Sequence, residues 1–252
     1  MKKTLSILLL ILCFSAKAQV TVTYTYDNLH RLTQASYSSG VNIMYSYDAL
    51  GNRTQENRTI TITIVNLKLN IEGYYDTATQ QMRPVKMNQG EGSDATIVDD
   101  ITVELVNPAT NVAVATTTAV LKTNGTAVCN FQTIPFGFYY LVVKHRNTIQ
   151  TWSASPVLIS AIPLIYDFSS AVSKAYGDNM KELESQVYGF YSGDINQDQV
   201  IDGSDLPELN NDIENSAYGF LSTDLNGDGS TDNSDAPFIF DNITNSIFSI
   251  HP

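Results

Sequence analysis

The feature that most constrains this chain is an acidic cassette that occurs twice, displaced by 30 residues. "DINQDQVIDGSD" runs from Asp194 to Asp205, and "DLNGDGSTDNSD" from Asp224 to Asp235. Asp194, Asn196, Asp198, Asp202 and Asp205 align with Asp224, Asn226, Asp228, Asp232 and Asp235. The flanks repeat as well: Tyr188-Gly189-Phe190 recurs as Tyr218-Gly219-Phe220, and Pro207, Leu209 and Ile213 recur as Pro237, Ile239 and Ile243. Leu206, Leu209 and Ile213 share one helical face, and Pro207 falls in a first turn, where its missing N–H costs nothing. Each acidic loop is therefore expected to feed one short amphipathic helix.

A twelve-residue loop can gather oxygen donors from positions 1, 3, 5, 7, 9 and 12, with a backbone carbonyl at position 7, around a hard cation that takes six to eight oxygens. In the first loop these positions are Asp194, Asn196, Asp198, Val200, Asp202 and Asp205; in the second they are Asp224, Asn226, Asp228, Ser230, Asp232 and Asp235. Neither loop contains the His or Cys that zinc favours, and magnesium resists so flexible an all-protein shell. The expected cofactor is Ca2+ at two sites. Position 6 needs an unusual backbone turn, and Gln199 stands there in the first copy where Gly229 stands in the second, so the first site is expected to be the weaker. Without a cation the four carboxylates of each loop repel one another, which predicts a partly unfolded module.

Two such loops, each followed by one helix, resemble the type I dockerin family. That resemblance implies a calcium-dependent module that docks on cohesins through the tenth and eleventh loop positions, here Gly203-Ser204 and Asn233-Ser234, and through basic residues along the helices. The serines fit the family; the helical positions hold Asn210, Asn211, Phe240 and Asp241, which do not.

Charge follows the same division. Residues 178–252 hold 15 Asp and Glu against one basic residue, Lys181, whereas residues 19–177 hold 11 acidic and 10 basic residues. This acidity excludes nucleic acid as a partner and points to a cation. At the other end, "MKKTLSILLLILCFSAKA" joins two lysines, an apolar run too short for a membrane span, and small residues at Ala16 and Ala18. It reads as a signal peptide over residues 1–18, making the protein secreted, extracellular or cell-surface, with no membrane span. Only Cys129 then remains, so no intrachain disulfide is expected, and its alternating apolar flanks make it a buried small hydrophobe.

Residues 19–59 contain a second repeat, "YTYDNLHRLTQ" from Tyr24 and "YSYDALGNRTQ" from Tyr45, displaced by 21 residues. Aromatic and polar residues alternate before a turn, which predicts short hairpins. The copies resemble the tyrosine-aspartate (YD) repeats of Rhs-type bacterial surface proteins. Residues 60–172 carry period-two strands, with "TNG" at Thr123-Asn124-Gly125 predicting a hairpin turn. Their order resembles prealbumin-like or immunoglobulin-like accessory modules. Residues 173–187 read as a linker and 188–252 as the dockerin-like module. The expected fold class is thus mainly β with a small α module: an antiparallel β-sandwich followed by a dockerin-like pair of calcium loop-helix units.

No catalytic constellation is evident: His30, His145 and His251 lack a neighbouring nucleophile or ligand spacing, and no phosphate loop or nucleophile elbow occurs. The chain is expected to be a non-catalytic, secreted calcium-binding protein whose module serves stabilisation or docking at the cell surface. The candidate partners are a cohesin-like or other surface protein, or its own β-sandwich. Two other readings stand beside this one. A carbohydrate-binding or accessory module of polysaccharide degradation would use a glycan partner at Trp152, Arg146 and nearby tyrosines; alternatively, the chain is the C-terminal remnant of a large Rhs/YD-repeat protein.

Overall fold

A computed structural model describes residues 21–37, 40–60 and 62–252, so the signal-peptide reading of residues 1–18 lies outside the described residues. The chain divides into two compact units, Met1–Thr59 and Ile60–Pro252. Among the described residues no helix is long and apolar enough to cross a membrane.

In the first unit, β1 (Val22–Tyr26), β2 (Leu32–Tyr37), β3 (Val41–Tyr47) and β4 (Arg53–Ile60) form one sheet in that order. The repeated Tyr-Asp pair builds the same turn twice. Asp27 Oδ1 accepts from the backbone N–H groups of Leu29 and Arg31 at 2.9 Å each, and Asp48 Oδ1 accepts from Leu50 at 2.9 Å and Asn52 at 2.8 Å. A carboxylate that accepts amides two and four residues on fixes a tight loop. His30 and Gly51, at equivalent positions, take positive φ of 60° and 89°. Arg31 lies 4.7 Å over the Tyr47 ring and Arg53 5.3 Å over Tyr45. Among the described residues of this unit only Ala35 and Val41 are buried, so cross-strand pairs and cation–π contacts hold the sheet in place of a core.

The second unit is built from β5 (Ile62–Lys68), β6 (Tyr75–Asp76), β7 (Gln81–Met82), α1 (Val85–Asn88), β8 (Ile97–Asn107), β9 (Val112–Lys122) and β10 (Thr126–Gln132). It continues through β11 (Gly137–His145), β12 (Thr148–Trp152), β13 (Val157–Ile159), β14 (Leu164–Asp167), β15 (Lys181–Glu184), β16 (Val187–Gly189), α2 (Leu206–Glu214) and α3 (Ala236–Thr244). One sheet runs β12-β11-β8-β9 with β13 also on β11, and the other runs β10-β5-β14. Alternate residues of both sheets, among them Val65, Leu67, Cys129, Ile101, Val103 and Leu141, enter one core. The fold is mainly β with a small helical module at its C-terminus, and it departs from a purely antiparallel sandwich in one place, where β14 runs parallel to β5. Cys129 is buried as expected, which pushes its thiol up to about 12.

The turn at Asn124-Gly125 forms, with Gly125 at φ 82° and its N–H donating to Lys122 O at 2.8 Å, but it does not close a paired hairpin. β9 pairs with β8 and β10 with β5, so the turn carries the chain from one sheet to the other. Gly125 lies close to the segment that follows β5, where a Cβ on it would be 2.8 Å from Leu69 O. The linker reading over 173–187 falls on 3-10 turns and the β15–β16 hairpin, with Ala175 and Met180 buried in the core.

A second apolar cluster ties the acidic loops to the sheet. Ile195, Ile201 and Leu209 of the first loop-helix pack with Leu225 and Ile239 of the second, and Ile149 of β12 completes them. Full burial of such a side chain contributes about 1.5–3 kcal/mol. Truncation of Ile149 to Ala should therefore lower stability by about 2–5 kcal/mol, read as a fall in the denaturant midpoint of the calcium-loaded chain; a change under about 0.5 kcal/mol would show that the module packs without it.

Candidate calcium loops

Both loops begin and end on buried carboxylates. Asp194, Asp205, Asp224 and Asp235 are almost wholly inaccessible, whereas Asp198, Asp202, Asp228 and Asp232 are exposed. The last carboxylate of each loop precedes its helix but does not cap it; it turns back to the loop's own amides. Asp205 Oδ1 accepts from Ile195 N at 2.8 Å and Asn196 N at 3.0 Å, and its Oδ2 from Asp202 N at 3.0 Å. Asp235 repeats this with Asn226 N and Asp232 N at 2.9 Å each. Asn196 and Asn226 place Oδ1 on the amides of Asp198 and Asp228, both at 2.8 Å.

Position 7 is framed by short bridges, Val200 to Phe248 and Ser230 to Tyr218. Their hydrogen bonds are carried by the flanking residues: Gln199 O and Ile201 N in the first loop, Gly229 O and Thr231 N in the second. Backbone groups alternate in direction along an extended segment, so the Val200 and Ser230 carbonyls are turned away from the bridge and towards the loop.

Burial pushes Asp194 up to about 7, and the nearby Asp205 charge adds to the shift. It raises Asp235 to about 6, against the pull of the Asp232 and Asn226 amides. Asp205 and Asp224 are raised for the same reason, with Asp224 held back by the Gln89 side chain. Asp202 and Asp232 lie below the usual carboxylate range because the Ser204 and Ser234 amides donate to them.

Whether these residues fit a hard cation is decided by their donor set. Every ligand position offers an oxygen, from the side chain or, at Val200, from the backbone carbonyl, and Asp194 Oδ1 is buried without a hydrogen-bond partner among the described residues. An unpaired buried carboxylate oxygen is costly unless a cation meets it. Among the described residues no three His, Cys, Asp or Glu side chains stand grouped as a metal cage; the carboxylates rest on backbone amides. Asp194, Asn196, Asp198, Val200, Asp202 and Asp205 would hold one ion, and Asp224, Asn226, Asp228, Ser230, Asp232 and Asp235 the other. The ion would supply two positive charges against the four carboxylates of each loop.

Residues 192–243 match the family model described as the dockerin type I domain. The C-terminal module is a dockerin domain. Dockerin domains of this type generally bind calcium and mediate docking to cohesins. Similar solved structures include two interface mutants, C-terminal and N-terminal, of a type II cohesin–X–dockerin complex from Acetivibrio cellulolyticus. The matched chains are 18% and 16% identical to this one; each match covers 71% of this chain and 94% of that chain at a TM-score of 0.42. Comparison with curated proteins gave no match.

The two halves of the dockerin domain sit in different surroundings. Phe190 is fully buried in the sandwich core, whereas its repeat partner Phe220 is 43% exposed with Arg146 stacked 4.2 Å over its ring, and Tyr218 is 83% exposed. Gly227 and Gly229 have φ of 72° and 100°, and their counterparts Gln197 and Gln199 take 61° and 75°. The glycines answer to packing as well as to φ. A Cβ on Gly227 would lie 2.5 Å from Val85 Cγ2, and one on Gly229 would lie 2.4 Å from Asn88 O. In the first loop glutamines occupy these positions at the cost of their left-handed backbone, and the Gln199 side chain accepts from Gln150 of β12.

Several residues that position the domain had no signal in the sequence. Glu72 is buried and accepts from Ser192 N at 3.1 Å and Asn242 Nδ2 at 2.6 Å, while Lys181 pairs with its other oxygen at 3.1 Å. Gly73 lets Leu225 approach, since a Cβ there would sit 1.9 Å from Leu225 O. Ser204 and Ser234, which the sequence did single out, accept from Asn196 and Asn226 Nδ2 at 2.7 Å and 2.6 Å.

Two measurements bear on this geometry. Gln199→Gly should tighten the first site roughly fivefold, the equivalent of about 1 kcal/mol of left-handed strain, whereas Gly229→Ala should lower the melting temperature; a looser first site in calorimetry would contradict the strain account. Asp194 and Asp235 have folded-state values above the unfolded one, so in the pH window between about 4 and 7 the calcium-free folded chain binds protons that the unfolded chain does not. Its stability should fall as pH rises, giving a lower melting temperature at about pH 7.5 than at about pH 5.5 in chelator, with calcium reversing the order at the higher pH.

Proposed function

We propose that this protein is an exported, non-catalytic binding protein in which two calcium ions lock the dockerin domain onto its own β-domain and present the helices for docking on a cohesin-like surface protein. The observation that carries this reading is the pair of loops whose first and last carboxylates are buried, Asp194 with an oxygen that no donor meets. Such groups are stable together only when a cation balances them. Ile149 and the buried Glu72 support the locking role, because each completes the domain from outside it. The exposed helical residues Asn210, Asn211, Phe240 and Asp241 lack the basic character that the resemblance calls for, so such a partner would meet a mixed polar and aromatic face.

The glycan reading finds no platform at Trp152. The indole is 7% exposed and packed on Val106 and Val142, with the Tyr140 ring 5.8 Å and the His251 ring 5.7 Å from it. Arg146 is engaged by Asp99 and Phe220 and does not lie free beside it.

Calorimetric titration of the chain should show two calcium-binding events. At calcium about a hundred times the dissociation constant, each would add about 2.7 kcal/mol of stability. A recombinant type I cohesin should then bind in calcium and release in chelator. No calcium heat would overturn the reading, and calcium binding without cohesin binding would leave the locking role alone.

A further inference from the structure

The second loop receives a side chain from outside the dockerin domain, and the first loop has no equivalent at its leading carboxylate. Gln89, the residue that ends α1, is buried, and its Nε2 donates to Asp224 Oδ2 at 2.8 Å. Its orientation follows from its other neighbour. Arg146 carries only donors, so Gln89 Oε1 must face it, and Arg146 Nη2 donates there at 2.7 Å. Arg146 is itself held by Asp99 Oδ2 at 2.8 Å and the Tyr74 hydroxyl at 3.0 Å. The chain of contacts Asp99–Arg146–Gln89–Asp224 therefore runs from β8 to the first ligand position of the second loop.

The backbone on either side of Asp224 is clamped from the same direction. Arg83 donates to Asn226 O at 2.7 Å, Asn88 Nδ2 to Gly227 O at 2.8 Å, and Arg146 also to Leu221 O. In the first loop Asp194 Oδ2 accepts from Gln199 N at 3.1 Å, the Gln199 side chain itself accepts from Gln150 of β12, and Asp194 Oδ1 is buried with no hydrogen-bond partner among the described residues. Both leading carboxylates accept from amides of their own loop, Asp224 from Gly227, Asp228 and Gly229 and Asp194 from Gln199, and Asp224 in addition accepts from a neutral side-chain amide anchored in the β-domain.

We propose that Gln89 is a positioning residue for the second calcium site, so that this site's affinity depends on a β-domain side chain held directly on its leading carboxylate, a contact the first site does not share. The inference rests on the calcium reading above. A hydrogen bond to a ligating carboxylate fixes its rotamer before the ion arrives, and loss of such a partner costs on the order of tenfold in metal affinity. Coupling is reciprocal: an ion that holds Asp224 must also steady Gln89 and the α1 segment.

The test uses the full chain with calcium as the only ligand. In an Asp194→Ala background, which leaves the second site, Gln89→Met should weaken calcium binding about tenfold; in an Asp224→Ala background, which leaves the first, it should change nothing. Equal weakening in both, or none in the first, overturns the proposal, because a general loss of packing would act on both sites. A readout that leaves Gln89 intact is hydrogen exchange over residues 85–91. Calcium should slow it in the Asp194→Ala chain and not in the Asp224→Ala chain, and the same response in both would also overturn the proposal. A wild-type chain that takes up no calcium would instead defeat the calcium reading itself.

Discussion

The second unit depends on the desolvation of four carboxylates. Asp194, Asp205, Asp224 and Asp235 open and close the two loops from buried positions, and burying an ionised carboxylate is unfavourable unless donors or a cation answer it. The loops answer in part with backbone amides, which is why each Asp at position 12 faces back into its own loop and leaves its helix uncapped. What the amides leave over is a net demand for positive charge. Burial of these groups is meanwhile what allows Ile195, Ile201, Leu225 and Ile239 to meet in one cluster, so ion, loop and helix packing are a single problem.

The dockerin domain solves that problem with help from its neighbour. Ile149 is the sheet's contribution to the apolar cluster, Glu72 accepts from the buried Asn242 Nδ2, and the segment from Arg83 to Gln89 lies along the second loop. Because these contacts bury polar groups on both sides, separation would take Asn242 and the Ser192 amide from Glu72 and the Leu221 carbonyl from Arg146. The asymmetry between the loops follows. The second loop needs Gly227 and Gly229 because Val85 and Asn88 leave no room for a Cβ, and the first carries Gln197 and Gln199 there, also at positive φ.

The first unit follows a different rule. Its sheet has almost no buried apolar surface, and its order comes from two copies of an aspartate-centred turn in which carboxylate oxygens take the place of missing amide acceptors. Leu29 and Leu50, aligned by the repeat, are both exposed, so alignment in a repeat did not mean a shared core role.

The sequence by itself determined whatever is encoded within a short span. The alternation in β5 and β10, the helices after Asp205 and Asp235, the burial of Cys129, the Asp27 and Asp48 turns and the donor spacing of both loops depend on residues a few positions apart, and local geometry leaves them little choice. Tertiary structure alone decided the rest. Asn124-Gly125 turns the chain locally, but which strand β10 joins depended on β5, far away in sequence. Phe190 and Phe220 share a motif, yet one is in the core and the other lies under Arg146. Gln89 reaches Asp224 across 135 positions of sequence, and no periodicity or motif encodes a contact of that range. Spacing can specify which atoms converge within a loop; only the packing of distant elements specifies which side of that loop is walled, and by what.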